Sequence, residues 1–441
     1  MKRKSLAALI GTCFAVPAFA QSSITMYGIA DAGLHFGAGS PRLVSGIADG
    51  SRLGFKGTED LGGGYKAIFT LEARVELNSG RQVAGNVSPE KGMALVRGLD
   101  PALAAITPAA AGALKTAAFN GAVTLTNALN NTIVNNGNAL FDRTSMVGLI
   151  TPFGAILGGR MYTPGYEVLA AADTFESGTA GTWGTLTGGA AGLLSAGVSI
   201  RSDNAVQYRI QTPNGFGAAL MYGFKNSGYV GLDKKFWAAN VKYQADGWNV
   251  GAGYNHGTDQ NGASGLITWT IGGSYATGPM KFFAGYHNME NENSVLAPVF
   301  GANWDASVAP QLAAAAAPFG AAGTALVAGY TAAFKAAVTN NLKLDADSWT
   351  LGMHYRVGAG RFMGSYNHVN DKTAFNADAS QISLGYDYDL SKRTDIYLIG
   401  SIIKNKNSAQ YAPGAASAPG GFTKVTGDNG RALQIGMRHR F

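Results

Sequence analysis

The feature that most limits how this chain can fold is a period of two, repeated in segments of about eight to eleven residues with turns between them. The closing segment shows it plainly. Leu433, Ile435, Met437, His439 and Phe441 alternate with Ala432, Gln434, Gly436, Arg438 and Arg440. One face is largely apolar, and the other carries arginine, amide and glycine. Comparable segments run from Ile24 to Phe36, Ser51 to Thr58, Tyr65 to Arg74, Asp142 to Leu149, Ala155 to Tyr162, Asn204 to Thr212, Phe216 to Phe224 and Phe236 to Tyr243. Others run from Trp248 to Asn255, Leu266 to Tyr275, Met280 to His287, Ser348 to Tyr355, Arg361 to His368, Ser380 to Tyr388, Thr394 to Ile402 and Arg431 to Phe441. Together they predict about 16 strands.

The connections alternate in length. Tight chemistry recurs at Glu59 to Gly64, Thr151-Pro152-Phe153-Gly154, Pro213-Asn214-Gly215, Ala245-Asp246-Gly247, Thr277-Gly278-Pro279, Gly358-Ala359-Gly360 and Leu390 to Arg393, and every intervening connection is longer. A barrel that crosses an outer membrane has this asymmetry, because one rim carries short periplasmic turns and the other long outward loops. Tyrosines gather at strand ends (Tyr254, Tyr275, Tyr286, Tyr355, Tyr366, Tyr386 and Tyr388), where rings suit the two lipid interfaces. A soluble propeller would also repeat aromatics and glycines. The expected fold is therefore all-β, a 16-stranded antiparallel transmembrane β-barrel, with the propeller as the soluble alternative.

Composition agrees with one large architecture. Of 441 residues, 46% are hydrophobic, 14% are charged and 62 are glycine, with no linker that divides the chain. That excludes a disordered tail protein. Lys2, Arg3 and Lys4 precede an apolar run from Leu6 to Val16 and the small-residue site Ala18-Phe19-Ala20, so residues 1–20 read as a signal peptide cleaved before Gln21 and residues 21–441 as the exported barrel. Cys13, the only cysteine, would leave with that leader. The charge-poor stretch Ala306 to Phe334 is broken by prolines and glycines and makes a weak spanning helix; Leu326, Tyr330, Phe334 and Val338 recur every four residues, which suits a helix packed on something else within a loop.

No GxSxG, HExxH, CxxC or GxxxxGK[ST] pattern occurs, and the six histidines fall one per segment, so neither catalysis, a cofactor nor a metal site is expected. The lysines and arginines are scattered rather than striped, which argues against nucleic acid. They make sense strand by strand. In Ser51 to Thr58 the apolar parity is Leu53, Phe55 and Gly57, which puts Arg52 and Lys56 on the opposite face. A cation at lipid mid-depth costs about 2–4 kcal/mol, so these two should face water inside the barrel. By the same parity Lys66, Glu72 and Arg74 oppose Ala67, Phe69 and Leu71, and Arg160 opposes Leu157 and Met161; Val147 shares the face of Arg143 and leaves that parity ambiguous.

Ser51-Arg52-Leu53-Gly54-Phe55-Lys56-Gly57-Thr58-Glu59-Asp60-Leu61-Gly62-Gly63-Gly64, followed by Lys66 to Phe69 and Leu71-Glu72, resembles the second and third strands of the Gram-negative general porins in their betaproteobacterial form. Ser23 to Gly33 is similar to that family's first strand, and Asp203 to Tyr208, Gly385 to Tyr388, Leu390 to Thr394 and Gly436 to Phe441 continue the likeness in order. The resemblance implies a homotrimer in the outer membrane, in contact with lipid and lipopolysaccharide, that passes small hydrophilic solutes and inorganic ions by passive diffusion. It also implies that the third outward loop, about Thr163 to Ser202, folds inward to constrict the pore. That loop carries Glu167, Asp173 and Glu176. Arginines line the constriction of anion-preferring members, and the matching positions are Arg52, Arg143 and Arg201, with Lys56, Arg74 and Arg160 as further candidates; a weak anion preference is expected, partly offset by the three loop acids. The terminal Phe441 resembles the signal read by the outer-membrane assembly machinery. The loops at about 75–141 and 288–347 depart from the family by their length and alanine content. A barrel hydrolase with a catalytic rim and a surface adhesin are the rival functions.

Overall fold

The computed structural model describes residues 23–37, 41–82, 93–96, 99–134, 139–187, 200–228, 232–417 and 421–441. The expected leader, residues 1–20, lies outside them. Among the described residues the period-two segments form sixteen long antiparallel strands closed into a barrel. They are β1 (Ser23–Phe36), β2 (Arg52–Gly62), β3 (Tyr65–Arg74), β4 (Thr144–Thr151), β5 (Gly154–Tyr162), β6 (Arg201–Gln211), β7 (Phe216–Gly228) and β8 (Lys235–Ala245). The second half comprises β9 (Trp248–Thr258), β10 (Ser264–Thr277), β11 (Met280–Asn291), β12 (Leu344–Val357), β13 (Gly360–Asp371), β14 (Ala379–Asp389), β15 (Thr394–Asn405) and β16 (Gly430–Arg440). Each pairs with its sequence neighbours. β1 closes the cylinder by a split register: Ser23 to Ile29 pair with β2, while Ile29 to Phe36 pair with β16. Closure matters because lipid offers no partner to an unpaired N–H or C=O.

The exposed face is apolar along the strands. Val147, Ile156, Leu220, Val241, Ile271, Leu351, Leu384 and Ile435 are all exposed, as lipid-facing side chains should be. Rings form two belts. Near the turns lie Phe216–Tyr243, Trp248–Tyr275 and Phe362–Tyr386; toward the loops lie Tyr222–Trp237, Trp269–Tyr286 and Trp349–Tyr366.

The fifth strand corrects one expectation. Leu157 and Met161, expected in lipid with Arg160 opposing them from the lumen, are buried on the inner wall with Ala205, Met221 and Phe236, while Ile156 is the lipid-exposed neighbour. Arg160 shares the parity of Ile156, near a bulge at Asp203 and Asn204 where Asn204 has φ 45°, and it ion-pairs with Asp203. An apolar patch on the inside wall defeats a parity rule that assumes every inward side chain is polar.

Among the described residues three outward loops carry α-helices. The β3–β4 loop contains α1 (Leu99–Ile106) and α2 (Gly112–Val134), and the β5–β6 loop contains α3 (Pro164–Ala172). The β11–β12 loop contains α4 (Leu296–Asn303), α5 (Ala309–Ala316) and α6 (Gly320–Asn341). The stretch Leu296–Asn341 is long and apolar enough to span a membrane by composition, but it is broken into separate helices. Tyr330, Phe334 and Val338, which share the four-residue spacing, lie on its buried face.

Candidate functional site

The described part of the loop after β5, residues 163–187, is held against the inner wall. Thr163 caps α3 by accepting from the Tyr166 amide, and Pro164 starts the helix where a missing N–H costs nothing. The helix packs on β8 to β11, where small residues let it approach. A side chain at Gly285 would place its Cβ 2.8 Å from Trp183 and 2.9 Å from Ala172, and one at Gly352 would run into Thr174. Farther along, Trp183 Nε1 donates to Ser348 Oγ at 2.8 Å, Gln381 Nε2 donates to the Ala180 carbonyl at 2.8 Å, and the Ala180 amide donates to Gln434 Oε1 at 2.6 Å. The Thr179 amide reaches the Ile47 carbonyl in the β1–β2 connection at 2.6 Å. That connection is itself tied down by Asp31, which accepts from the amides of Ile47, Ala48 and Asp49 and from the Tyr397 hydroxyl. The described part of the loop thus follows the wall from β8 round to β16.

The three loop acids fasten this path. Glu167 accepts from Arg209 at 2.5 Å, Lys242 at 2.6 Å and Asn240 Nδ2 at 3.2 Å; burial raises its pKa, but the two cations outweigh burial and hold it below the usual range. Asp173 accepts from the Thr182 hydroxyl at 2.6 Å and from the amides of Phe175, Ser177 and Trp183. Burial pushes its pKa up against those donors. Glu176 pairs with Arg361 at 2.6 Å; desolvation opposes its charge, yet the guanidinium brings its pKa down to about 2. Arg361 also binds Asp387 at 2.7 Å. None of the three acids is paired with Arg52, Arg143 or Arg201 among the described residues; each fastens the loop instead to the wall or to itself. The anchors Arg209, Lys242 and Arg361 escaped the sequence reading because only strand register puts them beneath the loop.

Arg52, Arg143 and Arg201 do come together, around Glu72 and Tyr162. Arg143 Nε donates to Glu72 Oε1 at 2.6 Å, and Arg52 Nη1 lies 3.7 Å from Glu72 Oε2 while its Nη2 binds the Asp49 carboxylate. The Tyr162 hydroxyl accepts from Arg201 Nη2 at 2.5 Å and Arg143 Nη2 at 3.3 Å, and the Arg201 guanidinium stands 4.2 Å over the Tyr162 ring. Tyr162 stacks in turn on Tyr166 of α3, with ring centroids 5.5 Å apart. Arg143 precedes β4, so strand parity does not govern it, and its side chain turns in to Glu72. Asp49 and Glu72 neutralise two of the three guanidiniums. Arg201 has no carboxylate partner among the described residues, and its Nε is buried without a hydrogen bond.

The remaining candidates separate. Lys56 is exposed, 5.3 Å from the Tyr27 ring centroid, and has no ion pair among the described residues. Arg74 is 2% exposed, held by Asp142 at 3.3 Å, Glu76 at 3.4 Å and the Ser417 carbonyl at 3.1 Å. It fastens the β3–β4 loop to the β15–β16 loop and is not presented to the lumen, contrary to the expectation from parity. Arg160, paired with Asp203 and donating to the Asp142 carbonyl at 2.7 Å, likewise belongs to the strand end. Phe441 sits at the barrel seam: it exchanges backbone bonds of 3.0 and 3.1 Å with Gly28, and its ring occupies the space where a Cβ on Gly28 would go.

A closed barrel with an inward loop and a basic wall is the architecture of an outer-membrane diffusion channel, and comparison with known proteins agrees. Residues 5–408 match the family model for Gram-negative porin, and the chain belongs to that family. It is similar over 100% of both chains to the outer membrane porin protein 32 of Delftia acidovorans (27% identical) and to an outer membrane porin protein of Bordetella pertussis (25%). Among solved structures it resembles the anion-selective porin from Comamonas acidovorans, with TM-score 0.63, 22% identity, and coverage of 96% of this chain and 100% of that one. The protein is an outer-membrane porin of the betaproteobacterial type, a channel and not an enzyme. The family is typically trimeric.

Proposed function

We propose that this porin is a homotrimer whose protomers each pass small hydrophilic solutes and inorganic ions, with a weak preference for anions set between the Arg201 wall and the inward loop. The observation that carries the preference is Arg201 itself. Three guanidiniums face two carboxylates, which leaves one positive charge, and it falls on the side chain with an unsatisfied N–H. None of the loop acids pairs with Arg201 among the described residues: Glu167 and Glu176 are met by Arg209, Lys242 and Arg361, and Asp173 by a hydroxyl and backbone amides. Unit charges about 4 Å apart interact by about 1 kcal/mol even in bulk water, and a constriction narrower than the Debye length of about 10 Å at 0.1 M salt keeps a passing ion within that field. Lys56, which has no ion pair among the described residues, reinforces the sign.

Assembly follows the same chemistry. The loop-side aromatic belt is carried by β7 to β13, while the exposed face of β1 to β5 bears mainly aliphatic residues such as Ile24, Met26, Val147 and Ile156. This supports neighbouring copies on the second surface, and lipid and lipopolysaccharide on the first. Residues 1–20 serve as the cleaved leader, and Phe441 as the terminal signal for the assembly machinery. Planar-bilayer recording across a KCl gradient tests the function. The expected result is stepwise conductance with a zero-current potential of anionic sign that shrinks as salt rises; a cationic sign, or hydrolysis without conductance, overturns it.

A further inference from the structure

The two alanine-rich loops share one hydrophobic core although they leave opposite sides of the barrel. One connects β3 to β4 and the other β11 to β12, eight strands apart in a closed ring of sixteen. Yet Leu95, Leu103, Leu114 and Ala118 of the first pack with Phe300, Trp304, Tyr330 and Phe334 of the second. Trp304 stacks on Phe334 with centroids 4.8 Å apart, and Phe119 meets Phe334 at 6.5 Å. Polar contacts pin the pair: Thr107 Oγ1 lies 2.7 Å from the Tyr330 hydroxyl, and Asn341 Nδ2 donates to the Leu95 carbonyl at 2.8 Å. The shared core stands on Leu266 of β10 and Leu344 of β12, with Leu232 of the β7–β8 loop against it. The helices of the first loop thus pack beside strands about eight places round the ring from the pair that bears it.

We propose that these loops form a fixed helical cover across the outer mouth, which selects solutes by size before they reach the arginine wall. Fixity follows from burial: Trp304, Tyr330 and Phe334 are wholly enclosed, and rings of that size are ordered by close packing. Size and charge are then set in different places. Larger hydrophilic solutes, such as trisaccharides, are held back by the cover, while small ions pass beside it and sense Arg201. The inference rests on the channel activity of the family, and its test reads a ratio of solute rates in channels that already conduct.

Two variants of the full-length protein test it in proteoliposomes. A Cβ built at Gly121 lies 3.6 Å from the Val308 Cβ, within the spacing of a disulfide, roughly 3.5–4.5 Å. G121C with V308C should therefore cross-link almost completely under mild oxidation, with sugar entry unchanged because the cover is already closed. Failure to cross-link in assembled barrels, or slower sugar entry after oxidation, overturns a fixed cover. Replacing residues 296–341 by a short Gly-Ser linker should raise the swelling rate for raffinose relative to arabinose several-fold and leave the zero-current potential unchanged. If that variant does not assemble, W304A with F334A supplies the same readout. An unaltered sugar ratio in a conducting variant overturns the size filter.

Discussion

Glu167, Asp173 and Glu176 look alike in the sequence and do different work in the fold. Glu176, with its pKa at about 2, stabilises the docked loop fully above the ordinary carboxylate value of about 4.3, and that contribution is lost as pH falls through about 2. Asp173 has the opposite sign: burial raises its pKa, so its contribution is greatest in acid and declines as pH rises through its folded value. The loop should stay quiet between neutral pH and about pH 5, with open-channel noise appearing only below about pH 3, as expected of a paired carboxylate. Noise that rises already at pH 5 would show that the Glu176–Arg361 pair does not hold the loop. Asp173→Ala is harsher, since it strands the Thr182 hydroxyl and three backbone amides at about 1–3 kcal/mol each. Flickering current at neutral pH, in a barrel that still assembles, is the expected outcome, and steady current would contradict the anchoring role.

Among the elements, strands and turns were readable because a period of two needs only local information. The β2–β3 hairpin ends at glycines with positive φ, and β16 alternates as its sequence says. Helix α6 was half-readable: the spacing of Tyr330, Phe334 and Val338 shows a buried face, but its partners Leu95, Leu103 and Leu114 lie more than two hundred residues earlier and leave no local trace. The inner-wall glycines were hidden for the same reason, since their value depends on the loop that lies over them. Gly352→Val should therefore lift the loop at Thr174 and increase conductance while the barrel still assembles; an unchanged conductance would show that the wall tolerates a side chain there. The terminal strand carries its own test. Deleting Phe441 removes both the seam bonds to Gly28 and the terminal ring, so the yield of heat-modifiable barrel should fall sharply while export across the inner membrane continues. Equal yields would sink that idea.

For the whole molecule, closure without an open edge and the lack of any thiol outside residue 13 leave hydrogen bonding and packing to hold the barrel. Oligomers should survive SDS and collapse only on boiling to a band near 45.6 kDa, less the leader; a monomer band without heating would argue against the trimer. Charge was the least readable property at this scale. Residue types placed Arg52, Arg143 and Arg201 together through the family likeness, but which of them stays uncompensated depends on Asp49, Glu72 and Tyr162 meeting across four strands and a loop. The most direct measurement is the zero-current potential in a KCl gradient for the wild type, Arg201→Ser and Arg52→Ser. An anionic wild type is expected, with a large loss of that preference in Arg201→Ser and a smaller loss in Arg52→Ser, whose charge is already met by Asp49. A cation-selective wild type, or an Arg201→Ser channel with the wild-type potential, would contradict it.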